Sequence, residues 1–480
     1  MGIATETRKV LESMPAPARE ALESTIAFVP RPWLYGATFR ATRALLARTE
    51  RMPEAAMRAW QDERVRELVA WAHARVPYYR EVFAERGLKP SDIRGAADLH
   101  HLPLLSKEIL RERAADLLAE GMPVSARDQV STGGTSGEPL KFWIDRDRSS
   151  KEWAFMTWQW GRVGYRPGRR RAVLRGVVVG EEGDDRIHAY RPLLDELVLS
   201  TFRLSGATLP RYLAQIERYH PEFLHAYPSS AEHLARLLQA VPEAKRPHFT
   251  AVLLGSENVY PAQRAMLERA FGCKVFAWYG HSEKCLLGGG CEHSNDYHVY
   301  PEYGVLEVLG DDGKPALPGG RGTLVGTGFL NRVMPFLRYA TDDRATLVDS
   351  PCACGRPYPR IRDIEGRWLG ERLWGTGGRE FSMTALNTHT TVFDRVARFR
   401  IVQERPGEAT VQVVKGPGYT DADTRAVEAD YDLRTGGVVR FRVEIVDELP
   451  LTGRGKFKFI EQRIPEEVQS ALARGHAEVP

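Results

Sequence analysis

Phe249-Thr250-Ala251-Val252-Leu253-Leu254 and Lys274-Val275-Phe276-Ala277-Trp278 are two short apolar runs. They flank Ala262–Phe271, whose apolar residues recur at helical spacing. The runs read as strands and the segment between them as a helix. Upstream the alternation repeats. Ala172–Val179 reads as a strand, Leu209–Tyr219 as an amphipathic helix and Phe223–Tyr227 as a short strand. Ser229 and Glu232 have capping-box spacing ahead of Leu234, Leu237 and Leu238. Strand, helix, strand in this order predicts an α/β core with crossover connections.

The core has different neighbours on each side. Residues 54–86 carry a helical pattern that Val76-Pro77-Tyr78-Tyr79 interrupts. Residues 149–162 read as a helix whose Trp153, Trp158 and Trp160 are core anchors. After Gly304 short strands alternate with Gly/Pro turns, which predicts an antiparallel, barrel-like subdomain. After Arg367 come strands near Val396–Gln403, Ala409–Val414 and Val438–Val446, with a helix near Asp421–Asp432. That is a small α+β unit. The expected division is a large domain over 1–366 and a small, mobile C-terminal domain over 367–480.

Composition narrows the function. The chain has 480 residues, enough for two or three lobes. A net charge of +4, evenly spread, argues against a nucleic-acid partner. No apolar run approaches the ~20 residues of a membrane helix, and the N-terminus lacks a signal-peptide core. A cytoplasmic protein with no membrane partner is expected. The 5 cysteines all lie between Cys273 and Cys354, too few for a disulfide scaffold.

The most informative loop is Ser131-Thr132-Gly133-Gly134-Thr135-Ser136-Gly137-Glu138-Pro139-Leu140. Its glycines allow close backbone approach, and its N–H groups and hydroxyls can cradle phosphate oxygens. No Gly-Lys-Ser/Thr follows, so it is not a Walker loop. This order of residues resembles the phosphate-binding signature of the adenylate-forming enzymes. The chain around it, including Val76-Pro77-Tyr78-Tyr79 and Leu102-Pro103-Leu104-Leu105-Ser106-Lys107, is similar to the phenylacetate–CoA ligase-like branch with its capsule-biosynthesis relatives. The superfamily usually has Lys where this chain has Glu138, so the loop is expected to act through its backbone.

The resemblance extends to other motifs. Trp278-Tyr279-Gly280-His281-Ser282-Glu283 resembles the family's Tyr-Gly-x-Thr-Glu. By that likeness Tyr279 and Gly280 meet adenine, Ser282 reaches phosphate and Glu283 helps to hold Mg²⁺, a hard cation that prefers oxygen ligands. Arg338-Tyr339-Ala340-Thr341-Asp342-Asp343 resembles the ribose-binding motif and puts Asp343 on the ribose hydroxyls. Gly366-Arg367 resembles the hinge between domains, with Trp368-Leu369 where acidic residues usually follow. Leu449-Pro450-Leu451-Thr452-Gly453-Arg454-Gly455-Lys456 resembles the C-terminal catalytic loop and makes Lys456 the catalytic lysine. A cation on such a loop can neutralise charge that builds up on the carboxylate and α-phosphate.

The family likeness places the acid near Tyr227, Pro228, Gly255 and Trp278. The arginines at 162, 166, 169, 170, 171 and 175 read as a solvated basic face, with the phosphates of CoA as the other reading. Cys291, His298, Cys352 and Cys354 form a ligand set suited to tetrahedral Zn²⁺, with Cys285 and His293 as rivals. No water-activating pattern accompanies the set, so a structural zinc is expected. The implied activity is ATP-dependent activation of a small-molecule carboxylic acid through an acyl-adenylate, with transfer to CoA. An aryl or arylacetic acid is the default substrate. Two rival readings are an amine or carrier-protein thiol as acceptor, and a nucleotide-binding protein without catalysis.

Overall fold

The computed structural model describes residues 34–131, 140–177, 179, 185–366, 372–382, 386, 391–393, 395–449 and 460–473. The expected helix break at Val76 is real. One helix covers Glu54–Arg75, and Pro77 opens a second over Pro77–Glu85, where its missing N–H costs nothing. Strands β1 (Arg127–Ser131) and β2 (Lys141–Asp145) pair antiparallel, with Ser131 opposite Lys141. The rest of the loop expected to bind phosphate, residues 132–139, lies outside the described residues. The helix Arg148–Trp160 follows. Trp160 is fully buried, and Trp153 and Trp158 pack against the same cluster.

The core strands are β3 (Arg171–Leu174), β4 (His188–Arg191), β5 (Glu196–Leu199), β6 (Phe223–Ala226), β7 (Ala251–Leu254) and β8 (Lys274–Gly280). β5, β3, β6, β7 and β8 are parallel neighbours in that order, and β4 closes the edge antiparallel. The parallel strands β3, β5, β6 and β7 are buried along their whole length, as strands covered on both faces should be. Helices Leu209–Tyr219, Pro228–Leu238 and Pro261–Phe271 contribute Leu209, Tyr212, Ile216, Leu234, Leu238 and Leu267 to one cluster on the sheet.

The antiparallel strands expected after Gly304 are β11 (Gly304–Leu309), β12 (Arg321–Gly328), β13 (Tyr339–Val348) and β14 (Arg360–Glu365), preceded by β9 (Leu287–Gly289) and β10 (Tyr297–Val299). They continue the core: β8 pairs parallel with β7 and antiparallel with β9, so all twelve strands from β3 to β14 form one sheet. A two-stranded unit follows, β15 (Arg372–Trp374) with β16 (Glu380–Ser382). The C-terminal part has its own sheet and core. β17 (Val396–Arg405), β18 (Glu408–Lys415), β19 (Arg440–Ile445) and β20 (Ile460–Gln462) lie in the order β19-β18-β17-β20, covered by the helix Asp421–Thr435 through Val427 and Tyr431.

Two expectations are corrected. Ser229 is not a helix cap. Pro228 is the first residue of its helix and Tyr227 the N-cap, so Ser229 already lies in the first turn. There its N–H and hydroxyl both donate to Glu257, at 2.9 and 3.0 Å. The arginine-rich stretch is not one solvated face. Arg171 is fully buried between Trp153, Trp160 and Tyr165, with its charge centre 5.0–5.2 Å from each ring, and donates to Glu196 at 2.6 Å. Arg162 donates to Gly290 O and Glu50, while Arg169 and Arg170 stay exposed.

Removing one partner of a buried ion pair strands the other's charge. Arg171→Met should therefore lower unfolding free energy by about 3 kcal/mol, measured by urea denaturation. A loss under ~0.5 kcal/mol would show that the three aromatic rings hold this position without the charge.

Candidate active site

The site forms where the parallel strands end. Trp278 and Tyr279 are successive residues of β8, so they face opposite sides of the sheet. Trp278 packs with the cluster that holds Trp160 and Phe276, and Tyr279 with the one that holds Leu324 and Ile361. The Tyr279 hydroxyl donates to Asp343 Oδ2 at 2.8 Å. The Tyr339 hydroxyl donates to Glu283 Oε1 at 2.6 Å. The two predicted motifs, some 60 residues apart in the chain, thus meet through two tyrosine–carboxylate bonds. Glu283 and Asp343 are both buried.

His281, the variable residue of its motif, also reaches this cluster. Its Nε2 faces the Leu286 N–H at 3.2 Å and therefore accepts, which leaves the ring proton on Nδ1. Nδ1 then donates to Glu283 Oε2 at 3.1 Å. A buried carboxylate offers the oxygen ligands that a hard cation prefers. Ser282 is half-buried between His281 and Glu283.

Asp342 and Asp343 separate clearly. Asp342 takes a left-handed backbone conformation, and its exposed carboxylate accepts from the buried Lys107 ammonium at 2.7 Å. Lys107 closes the Leu102–Lys107 segment quoted above. Leu105 bridges to Tyr339, and Arg338 donates to Leu102 O at 2.7 Å. Asp343 turns inward. A Cβ placed on Gly366 would lie 3.7 Å from Asp343 Oδ1 and 3.6 Å from Asn258 Oδ1. Asn258 therefore belongs to the site's surroundings, and nothing in the sequence around it signals this. Arg367 and Lys456 fall outside the described residues, as do Thr132, Gly133, Gly134, Thr135, Ser136 and Gly137. Ser131 ends β1.

The expected acyl-site residues come together. Gly255 directly follows β7, and a Cβ there would sit 2.0 Å from Trp278 Nε1, so the indole occupies the space a side chain would need. Gly280 flanks the same indole, with its would-be Cβ 3.0 Å from the ring. Tyr227 is buried and Pro228 begins the next helix.

Cys291, His298, Cys352 and Cys354 offer ligand atoms that all lie within 4.8 Å of one another. Cys291 Sγ is 3.6 Å from Cys352 Sγ, and Cys354 Sγ is 3.6 Å from His298 Nε2. A regular tetrahedron with ~2.3 Å metal–sulfur bonds has edges of about 3.8 Å, so the set fits zinc. Burial, then Arg162, Arg356 and Arg360, push the His298 imidazole down to about 3, which keeps it neutral and able to ligate. Burial raises the Cys291 thiol to about 11. At Cys352 burial acts upward too, but bonds from Cys354 and Cys291 outweigh it and the thiol is lowered. The rivals drop out. Cys285 lies near Glu283 O, and His293 approaches Cys291 only through its backbone N–H at 3.3 Å.

These features have relatives. A family described as the CapK C-terminal domain matches residues 373–463. A phenylacetate–coenzyme A ligase of Thermus thermophilus is 30% identical over 408 residues, covering 80% of this chain and 88% of the relative. Protein CapK of Staphylococcus aureus is 24% identical over 415 residues, covering 83% and 88%. Among solved structures, a 2-hydroxyisobutyryl-CoA ligase in its thioesterification state superimposes with a TM-score of 0.56 at 22% identity, over 89% of this chain and 94% of that one. It shares the fold.

Gly255→Ala should force Trp278 aside and cost about 1–3 kcal/mol of stability, as overpacking does. The tryptophan emission maximum should move with it. An unchanged spectrum with unchanged stability would mean that the indole does not rest on Gly255.

Proposed function

The chain belongs to the phenylacetate–coenzyme A ligase family, and from that membership we propose that this site makes acyl-adenylates and passes the acyl group to coenzyme A. The enzyme is an ATP-dependent, AMP-forming acid–thiol ligase. The carboxylate attacks the α-phosphate, which releases pyrophosphate. The thiol then attacks the acyl carbonyl, which releases AMP. Forming the mixed anhydride turns a poor electrophile into one that a thiol can open. The observation that carries this reading is the double tyrosine–carboxylate junction, Tyr279–Asp343 and Tyr339–Glu283.

The roles assigned to single residues follow from the family resemblance. Asp343 accepts from the ribose hydroxyls, and Tyr279 with Gly280 borders the adenine. Ser282 and the loop Ser131–Gly137 bind phosphate oxygens. Glu283 would hold Mg²⁺, and a bound cation there would offset phosphate charge. Lys456 stabilises the charge that develops on the α-phosphate, and Arg367 binds nucleotide near the hinge. Tyr227, Pro228, Gly255 and Trp278 border the acid, which the relatives' naming makes an aryl or arylacetic acid. The small domain, from residue 367, turns between the two half-reactions. Cys291, His298, Cys352 and Cys354 would hold a structural zinc. Bound there, it would tie the turn between β13 and β14 to the β9–β10 segment.

Lys456→Ala should slow ATP–pyrophosphate exchange at least ~100-fold, about 3 kcal/mol of transition-state stabilisation, while a supplied acyl-adenylate still reacts with coenzyme A. Near-normal exchange would sink the lysine assignment. Asp343→Ala should raise the dissociation constant for ATP and leave that for the acid alone. Equal weakening of both would remove Asp343 from the ribose. Zinc should copurify at about one per chain under reducing conditions, and Cys352→Ser should lower the Tm. Metal-free protein of normal Tm would return the four residues to the role of buried side chains.

A further inference from the structure

Arg175 directly follows β3, where Leu174 pairs with Ala226 of β6. Ala226 pairs with Leu254, and Leu254 with Ala277. The next residues along these strands are Arg175, Tyr227, Gly255 and Trp278. They stand in one row across the sheet, at the place assigned to the acid. His225, two residues before Tyr227, shares its face.

The guanidinium lies over the Tyr227 ring, 4.8 Å from its centroid. One nitrogen meets His225 Nε2 at 2.6 Å, and another donates to the Ser256 hydroxyl at 2.6 Å. A guanidinium only donates, so Nε2 accepts and the imidazole proton sits on Nδ1. That Nδ1 is buried and has no partner among the described residues. Burial first, then Arg175 and Arg171, hold the imidazole well below its ordinary range, so the ring is neutral. The Trp278 indole N–H is also buried without a partner. Both side chains that Arg175 contacts by hydrogen bond are therefore neutral, and no carboxylate pairs with it among the described residues. A row of N–H donors with a cation at its end is poorly matched to a plain hydrocarbon acyl group, which would leave those donors unsatisfied.

We propose that Arg175, with His225 and Trp278, recognises a second hydrogen-bond acceptor on the acid, so that the preferred substrates carry an oxygen substituent besides the reacting carboxylate. This rests on the acid-activating reading of the site. Arg175 is then a specificity-determining residue, and plain phenylacetate is a poor substrate.

The test is ATP–pyrophosphate exchange with two matched pairs, phenylacetate against 4-hydroxyphenylacetate and hexanoate against adipate. Magnesium–ATP binding is measured separately by calorimetry. The oxygen-bearing member should win by at least tenfold in kcat/KM in one pair or both. Arg175→Leu should cost that member at least tenfold and the plain member less than threefold. Arg175→Lys, which keeps the charge, should retain the preference and covers the case in which the leucine variant does not fold. Equal use within both pairs, or preference for the plain acids, would overturn the proposal. So would an equal loss for both members in Arg175→Leu, which would place the guanidinium on a group that all the acids share. Wild-type protein that binds ATP but exchanges with none of the four acids overturns this inference and leaves adenylation standing. Wild-type protein that binds no ATP overturns the adenylation reading itself.

Discussion

Strand β8 carries the constraint on which the rest depends. It accepts a parallel neighbour on one edge and an antiparallel neighbour on the other. Its carboxyl end is therefore the end of a buried parallel core, where open α/β sheets place their ligands, and the start of an antiparallel extension. Because side chains alternate along a strand, Trp278 and Tyr279 serve opposite faces. One meets Gly255 on the core side, and the other meets Asp343 on the antiparallel side. A register slip of one residue would exchange them. The proposed acid and nucleotide regions are thus fixed against each other by a single backbone.

The carboxylates in that junction are held by tyrosine hydroxyls. Glu283 and Asp343 each accept from one, and His281 adds a neutral N–H to Glu283. Neutral donors orient a carboxylate without cancelling its charge, as a lysine or arginine would. Asp342 shows the contrast one residue away, since its charge is matched by Lys107. That bond also fastens the N-terminal segment to β13, so residues far back in the chain support the turn that presents Asp343.

The cysteine–histidine cluster has a similar logic on the other side of the sheet extension. Arg356 bonds Glu50 at 2.7 Å and Glu292 at 2.9 Å, and Arg51 donates to Cys354 O at 2.6 Å. These links join the helical front of the chain to the turn that carries Cys352 and Cys354. The four ligand atoms are gathered by the pairing of β10 with β9 and β14, not by sequence proximity.

The sequence by itself determined the strand–helix alternation of the core and the small C-terminal α+β unit, because periodicity is a local property of the chain. The Tyr279 and Asp343 motifs were legible through the family resemblance, and Cys291, His298, Cys352 and Cys354 as a candidate ligand set with Cys285 and His293 as rivals. Tertiary structure decided what local pattern cannot encode. The antiparallel strands joined the core sheet, because edge pairing depends on which strand is free in space. Ser229 lost its capping role to Glu257, 28 residues away, because Pro228 had already begun the helix. The arginines between 162 and 175, alike in sequence, parted into a buried pair with Glu196, an exposed rim and a side chain at the acyl row. A charge's role is set by the groups folded against it, and the contacts made by Arg171 and Arg175 come from strands that the linear sequence keeps 20 to 80 residues apart.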